Sequence, residues 1–384
     1  MTVVELDERL RALRGTAAEM ADELRAHASA LDAEPYEMKP HLGVAAFDLI
    51  RRCTTPPRFG DPLRLGRFSY AAGSSLDTLV WMIELARGDA GMVLAAPGPS
   101  LAGILVDQLG DERQQEFFHR TVADGTTWAF FAVTEPGRGS DASAMETALA
   151  REAPGLYRLN GTKKYIGNGA RGAVGVVFAR TGSGPLSIRA ALVEAAAPGF
   201  RARDLETAGL RGAALGEIAL ADVPVPEERL LAAHLPPTRR GLWGAVRVFN
   251  TVRPQVAALA VGTGLACLDL VRAERPKAPG FEAVAARLEA CRGLTLEAGA
   301  ALDRDRDDGL RSSAAKIAAV AAAREAGRWA VRSLGPAAPV DHPLLEKWLR
   351  DVSAFEFMEG TSDIQRLNVA RSVTRGRVRT GGQP

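Results

Sequence analysis

The sequence has few cysteines, few aromatic residues and almost no net charge. Its three cysteines are odd in number and far apart (Cys53, Cys267 and Cys291). They cannot form a disulfide framework or a C-x-x-C redox pair, and we expect buried thiols. Aromatic residues make up 6% of the 384 residues, and 48 basic against 46 acidic side chains leave a formal charge of +2. A nearly neutral chain exerts no overall electrostatic attraction on nucleic acid or an anionic membrane.

Lysine and long apolar runs are also scarce. Only six of the 48 basic residues are lysines: Lys39, Lys163, Lys164, Lys277, Lys316 and Lys347. The longest apolar stretch, residues 256–268, is interrupted by glycine and is well short of the ~20 residues that cross a bilayer. The N-terminal residues are charged from Glu5 onward and contain no apolar signal core. The five histidines are scattered without metal-ligand spacing. We therefore predict a cytoplasmic protein with no membrane segment and no metal site.

Apolar residues are plentiful, at 47%, so the chain can build a large core. The pattern changes twice along the sequence. Apolar residues recur at helical spacing in residues 1–125, short strand-like runs bounded by Gly or Pro fill residues 126–233, and Ala/Leu-rich helical patterns return in residues 234–384. These changes predict an N-terminal helical domain, a middle, mostly antiparallel β domain and a C-terminal helical domain.

Several local signals refine this prediction. Asn160-Gly161 lies between two strand-like runs and is typical of a β-hairpin turn. Lys163 and Lys164 would then solvate the edge of that hairpin. Thr251 can cap a helix that carries Pro254 in its first turn, where the missing N–H does no harm. Arg253 would lie in that first turn.

Two glycine-containing strings have the composition of functional loops. Residues 131–141 read Phe-Ala-Val-Thr-Glu-Pro-Gly-Arg-Gly-Ser-Asp, and Gly137 and Gly139 would let backbone N–H groups approach an anionic ligand. Residues 357–366 read Phe-Met-Glu-Gly-Thr-Ser-Asp-Ile-Gln-Arg. Apolar neighbours can keep water from Glu359, which raises a carboxyl pKa toward the value that a general base needs.

These strings, together with Leu-Asn-Gly-Thr-Lys-Lys-Tyr-Ile-Gly-Asn-Gly at residues 159–169, closely resemble the acyl-CoA dehydrogenase family of flavoproteins. The resemblance implies a helical N-terminal domain, a middle β domain and a C-terminal four-helix bundle around FAD. It also implies that Glu359 removes the α-proton of a short acyl thioester while the β-hydrogen leaves as hydride to the flavin. The Glu359 N–H would then polarise the thioester carbonyl.

The resemblance extends to individual positions. It implies cofactor contacts at Phe131, Val133, Thr134, Ser140, Tyr165, Ile166, Gly167, Arg275, Gly335, Thr361 and Asp363, and substrate contacts at Ser140, Asn250, Arg253 and Met358. Gly167 stands where the family usually has a hydroxyl beside the flavin. The segments around Arg275 and Gly335 also depart from the family's pattern for gripping FAD across a subunit contact.

The family further implies a homodimer or homotetramer, and several alternatives stay open. The acyl group can be carried by CoA or by an acyl carrier protein, with Arg253 as the first candidate for a basic contact. The electron acceptor can be an electron-transferring flavoprotein or oxygen. Two other functions are a flavin-dependent monooxygenase or oxidase on this fold, and a catalytically silent assembly or carrier-binding protein.

Overall fold

The structure is a computed structural model that describes residues 4–374, and its first part is helical. Six helices precede the main sheet: α1 (Glu8–Glu19), α2 (Ala21–Ala33), α3 (Ala45–Thr54), α4 (Ser75–Ala95), α5 (Ser100–Leu109) and α6 (Glu112–Thr121). A small antiparallel pair, β1 (Leu63–Leu65) and β2 (Phe68–Tyr70), lies between α3 and α4. Helix α6 begins with a capping box, in which Asp111 and Gln114 each accept the other's backbone N–H.

The middle part is a seven-stranded sheet. Its strands are β3 (Ala129–Ala132), β4 (Ala148–Ala153), β5 (Leu156–Ile166), β6 (Val174–Arg180), β7 (Ile188–Glu194), β8 (Phe200–Asp204) and β9 (Gly216–Pro226). The order is β3-β6-β4-β5-β9-β8, with β7 also paired to β6. Most pairs are antiparallel as predicted, but β3 and β4 run parallel to β6.

The predicted turn at Asn160-Gly161 is wrong, because both residues lie inside the 11-residue strand β5. The hairpin turn is instead Pro154-Gly155, between β4 and β5, where Gly155 has φ of +79°. Asn160 is accommodated by reciprocal hydrogen bonds with Asp222 on β9, at 2.8 and 2.9 Å. The register shifts between Leu159 and Gly161, so a β-bulge explains the glycine.

The last part consists of α7 (Leu242–Glu274), α8 (Phe281–Arg304), α9 (Gly309–Leu334), α10 (Ala338–Asp341), α11 (Pro343–Ala354) and α12 (Ser362–Thr374). The predicted start of the long helix is wrong. Helix α7 begins at Leu242, so Pro254 lies in its interior and Thr251 donates to the carbonyl of Arg247 instead of capping. Arg253 is therefore about three turns inside the helix.

Helix α7 joins two of the hydrophobic cores, which fixes the position of its third and fourth turns. Its first part, with Ala245, Val248 and Val252, packs with α5, α6 and one face of the sheet. Its later part, residues 256–271, packs with α4, α8 and α9. The other face of the sheet forms a third core. These observations confirm the predicted fold class.

The segment containing α7 is also long and apolar enough to cross a membrane. Residues 237–274 have a mean hydropathy of 1.7 over the most apolar window, and 78% of that window is buried within the protein. Burial of this kind is typical of the central helix of a helical core, which shows the same hydropathy.

Candidate active site

The loop after β3 is held by a buried ion pair. The Glu135 carboxylate accepts hydrogen bonds from the N–H groups of Glu146 (2.6 Å) and Thr147 (2.9 Å), and from Lys163 Nζ (2.9 Å). Lys163 is fully buried and also donates to the carbonyl of Val133. The prediction that Lys163 solvates a strand edge is therefore wrong. Burial alone would raise the pKa of Glu135, but the hydrogen bond from the Thr147 hydroxyl, those from the two N–H groups and the Lys163 charge lower it to about 2.

This loop lies beside the end of β5, so two of the predicted cofactor strings meet. The backbone N–H of Lys164 donates to the Thr134 carbonyl at 2.9 Å. Tyr165, the next residue, has φ of +62° and is 57% exposed. Ile166 is buried and Gly167 follows it. Thr134, Tyr165, Ile166 and Gly167 therefore form one continuous edge of the β domain.

The edge is connected to helix α7 by aromatic packing. Phe131 on β3 packs edge-to-face against Phe249 on α7, with ring centroids 6.1 Å apart. Val133, two residues further, is buried in the same core. Ser140 is exposed in the loop that Glu135 holds. The middle domain and α7 are thus in direct contact beside the predicted cofactor edge.

Glu359 lies in the short loop between α11 and α12. Its φ of +53° and that of Gly360, +96°, are both in the left-handed region, which is uncommon for a residue with a side chain. The Glu359 carbonyl accepts from Gln365 Nε2 (3.0 Å) and from Arg253 Nε (3.3 Å). Met358 is partly buried against the helical core. These contacts attach the loop to α12 and α7.

Asn250 and Arg253 lie on adjacent turns of α7, and both are buried. Arg253 Nη1 donates to Asn250 Oδ1 at 3.0 Å. Arg253 is only 9% exposed, so it presents little surface to a carrier protein, and its contact with CoA or a carrier-bound substrate stays a prediction. Burial lowers the pKa of Arg253 to about 10, although the nearby Glu359 opposes that shift.

Burial raises the pKa of Glu359 above the ordinary glutamate value. The attraction of the Lys316 and Arg253 charges works in the opposite direction and is the weaker effect. A raised carboxyl pKa moves the group toward the value expected of a general base. The direction of this shift is the one expected from the sequence, but Phe357, one of the apolar neighbours expected to exclude water, is 75% exposed, and the catalytic role of Glu359 stays a prediction.

The sequence motifs did not indicate Lys316, which donates hydrogen bonds to the backbone of this loop. Its side chain is fully buried, and its Nζ donates to the carbonyls of Glu356, Met358 and Gly360. Glu356 in turn accepts from the N–H and hydroxyl of Ser362, both at 2.7 Å, at the start of α12. The scarcity of lysine in an arginine-rich chain is the one signal in the sequence that marked this residue.

Four of the predicted cofactor residues lie apart from the Thr134–Tyr165 edge. Arg275 donates to the Ser333 carbonyl at 2.7 Å, close to Gly335 at the end of α9. The helix between Arg253 and Arg275 is about 33 Å long, so Arg275 and Gly335 are far from Glu359 within one chain. At the start of α12, the Thr361 hydroxyl accepts from the N–H of Ile364 at 3.5 Å, and exposed Asp363 pairs with Arg366.

A cavity of about 560 Å³ opens between α3, α4, α5 and α7. It reaches Asn168, next to Gly167, and Thr251 and Gln255, which flank Arg253 on α7. On α7, Arg253 is about 200° around the helix axis from Thr251 and from Gln255, and it therefore lies on the opposite side of the helix. Neither Arg253 nor Glu359 lines the cavity. The cavity thus adjoins the predicted cofactor edge and approaches the Glu359 loop from the other side of α7.

The residues at the edge fit FAD. Positions Gly137 and Gly139 have no atom within 4 Å of where a Cβ would lie, so a ligand can approach their backbone. The exposed Tyr165 ring offers a planar surface for stacking. Among residues 4–374, no group of three His, Cys, Asp or Glu side chains is placed to hold a metal ion. A β edge with an open glycine loop, a helical bundle and a partly buried loop carboxylate together indicate an oxidoreductase of the flavoprotein dehydrogenase class.

Comparisons with known proteins agree with this class. The family model for the acyl-CoA dehydrogenase middle domain matches residues 130–223, and that for the acyl-CoA dehydrogenase C-terminal domain matches residues 239–374. The mitochondrial short-chain specific acyl-CoA dehydrogenase of Rattus norvegicus is 30% identical over 326 residues, which are 79% of this chain and 78% of that protein. The chain belongs to the acyl-CoA dehydrogenase family, whose members are flavoprotein oxidoreductases acting on CH–CH groups.

Solved structures share the fold along almost the whole chain. Butyryl-CoA dehydrogenase from Megasphaera elsdenii has a TM-score of 0.85 at 24% identity, covering 97% of this chain and 100% of that one. A prolyl acyl carrier protein oxidase has a TM-score of 0.82 at 22% identity, covering 96% of this chain and 100% of that one. At sequence identities of 24% and 22%, these matches show that the fold is shared.

Proposed function

We propose that the protein catalyses the FAD-dependent α,β-dehydrogenation of a short acyl thioester and that Glu359 is the base that removes the α-proton. The observation that carries the proposal is the Glu359 carboxyl group itself. It is partly buried on a loop attached to α7 through Arg253, and burial raises its pKa. A partly buried carboxylate with a raised pKa suits removal of a weakly acidic proton.

The protein's own groups would bind the cofactor, remove the α-proton and stabilise the negative charge that develops on the substrate. Bound FAD supplies the acceptor for the hydrogen and the electron pair that leave Cβ. Thr134, Tyr165, Ile166 and Gly167 form the edge that would hold its ring. Glu359 takes the proton from Cα, so the two hydrogens leave as a proton and a hydride and a Cα–Cβ double bond remains. The Glu359 N–H donates to the thioester carbonyl and stabilises the negative charge that develops there.

The raised pKa of Glu359 sets the expected pH dependence. The base must be ionised to accept a proton, so the rate of flavin reduction rises with pH through the pKa of this carboxyl. Because burial places that pKa above the ordinary glutamate value of about 4.3, the acidic limb of the profile is expected above that pH. A limb at or below the ordinary value would show that a different group titrates.

The identity of the acyl carrier and of the electron acceptor also belongs to the proposal. Acyl-CoA is supported by the names of the relatives, and an acyl carrier protein by the name of one structural neighbour with the same fold. Electron-transferring flavoprotein is the expected acceptor. Gly167, which provides no hydroxyl at the predicted flavin edge, leaves oxygen as the alternative.

The decisive experiment mixes the FAD-loaded protein anaerobically with a panel of short acyl-CoA and acyl-carrier-protein thioesters. We expect at least one substrate to bleach the flavin absorption band. Glu359→Gln should slow that bleaching by roughly 10²- to 10⁴-fold, while Glu116→Gln, whose carboxylate pairs with Arg120 on the exposed face of α6, should retain it within a few-fold. No bleaching by the whole panel, or equal rates in Glu359→Gln and wild type, would refute the proposal.

A further inference from the structure

The ammonium group of Lys316 lies inside the turn of the loop that carries Glu359. Residues 356–360 turn around its ammonium group, and three of their carbonyl oxygens accept its hydrogen bonds: those of Glu356 (3.2 Å), Met358 and Gly360. The ammonium has three N–H donors, and three acceptors use all of them. Because the side chain is fully buried, its ammonium group donates its hydrogen bonds to this loop and not to water.

The other carbonyl near the turn, that of Glu359, is held from two further directions by Arg253 and Gln365. Gln365 also donates to the Gly360 carbonyl, and its own oxygen accepts from Ser313 Oγ on α9 at 2.9 Å. The carbonyls around the left-handed turn are therefore paired with the supporting helices α7, α9 and α12. That pairing stabilises a backbone conformation that a glutamate disfavours.

We propose that Lys316 is a positioning residue for Glu359: it fixes the backbone from which the carboxylate and the N–H of Glu359 project, and it places a buried positive charge beside that loop. The inference rests on the proposed function of Glu359. It assigns a role to a group that contacts neither the cavity nor the predicted cofactor edge.

The charged groups around Lys316 come from two elements besides its own helix. Glu356 and Glu359 lie on the loop, and Arg253 lies on α7. Burial and Arg253 lower the pKa of Lys316, to about 8, while the two glutamates oppose that change. The Lys316 charge in turn lowers the pKa of Glu359. Removing it therefore raises the pKa of Glu359 further, and the acidic limb of flavin reduction moves to higher pH.

An arginine cannot replace Lys316 in this role. Its five donors point in fixed directions in one plane, whereas three carbonyls that converge on a single point match the compact, rotatable ammonium. Lys316→Arg keeps the charge and loses the geometry. Lys316→Gln keeps two N–H donors and loses the charge. The pair of variants separates the two parts of the proposal.

The test compares Lys316→Met, Lys316→Gln and Lys316→Arg with wild type in three measurements: FAD content, the pH profile of flavin reduction, and hydrogen exchange of residues 355–362 without substrate. We expect the acidic limb to move to higher pH in the Met and Gln variants and to stay in place in the Arg variant. Flavin reduction should fall by up to about 10²-fold in the Met and Arg variants because the base is misplaced. Exchange of the loop amides should rise in both.

Ser313→Ala is the matched control, because it removes a buried hydrogen bond to Gln365 one turn away on α9 without touching the charge. It should lower thermal stability and leave the acidic limb unmoved. If Lys316→Met fails to fold, the Gln variant carries the test. An unmoved limb in the Gln variant, with Glu359→Gln still inactive, overturns the role of Lys316 alone. Full activity of Glu359→Gln overturns the proposed function instead.

Discussion

Glu135→Gln is expected to destabilise the protein by an amount that depends on pH. The Glu135 carboxyl is 6% exposed, and its pKa falls from an ordinary value of 4.5 to about 2 in the folded protein. At neutral pH such a depression corresponds to roughly 3 kcal/mol of folding free energy. The amide in the variant also leaves Lys163 without a charged partner, so the loss at pH 7 should be at least of that order.

The sign of the pH dependence follows from the direction of the shift. The folded pKa lies below the unfolded value, so the contribution of Glu135 is complete above pH 4.5 and is lost as the pH falls toward 2. The stabilities of the wild type and the Glu135→Gln variant converge in the same interval, because a protonated carboxyl group and an amide both offer Lys163 no charge. The difference in stability between the two proteins should therefore shrink as the pH falls from about 5 to about 3.

The assay is urea unfolding followed by tryptophan fluorescence at several pH values between about 3 and 7. Glu146→Gln serves as the control, because the Glu146 side chain is exposed and pairs with Arg138 at the surface. That variant should change stability by less than about 1 kcal/mol at any pH. A constant difference between Glu135→Gln and wild type from about pH 7 to about pH 3 would refute the reasoning, because the charge of the carboxylate would then contribute nothing.

Two further predictions concern other buried features. Lys347→Met should lower the free energy of unfolding, measured in urea, by about 3–5 kcal/mol. The variant leaves the carboxylates of Asp89 and Asp351, now 2.6 and 2.7 Å from Lys347 Nζ, without a cation. A loss below about 1 kcal/mol would contradict this prediction. Gly360→Ala should lower the thermal midpoint, because φ is +96° and a Cβ would lie 2.7 Å from a side-chain atom. Gly293→Ala, in open space within α8, should raise the midpoint slightly.

The sequence predicted the fold class because its signals were both local and redundant. Helical periodicity, strand-length runs and three ordered motifs all indicated the same arrangement. The same redundancy explains why Thr134, Tyr165 and Glu359 could be proposed as site residues. Each lies in a motif that contains glycine residues and is recognisable as a whole. The structure places the first two at one edge and attaches the Glu359 loop to the adjacent helix.

The errors arose where a local signal competed with tertiary packing. Asn160-Gly161 is a strong turn signal, but the reciprocal hydrogen bonds between Asn160 and Asp222 and the bulge at Gly161 keep both residues within β5. Thr251 and Pro254 together indicate a helix start. Helix α7 nevertheless continues through them, because residues on both sides of Pro254 are buried in two adjoining cores, and burial outweighs one missing backbone hydrogen bond.

The buried lysines could not be placed from the sequence, although their rarity was visible in it. Lys163, Lys316 and Lys347 are 0%, 0% and 3% exposed, and each donates to at least one oxygen atom from a segment distant in the chain. These oxygens converge on one point, a geometry that an ammonium group can satisfy and a planar guanidinium cannot. Three of the six lysines in this arginine-rich chain therefore each hold a segment through a buried charge. Two of these three lysines hold the predicted cofactor edge and the loop of the proposed base, so the positions that local pattern could not reveal are those that fix the geometry of the site.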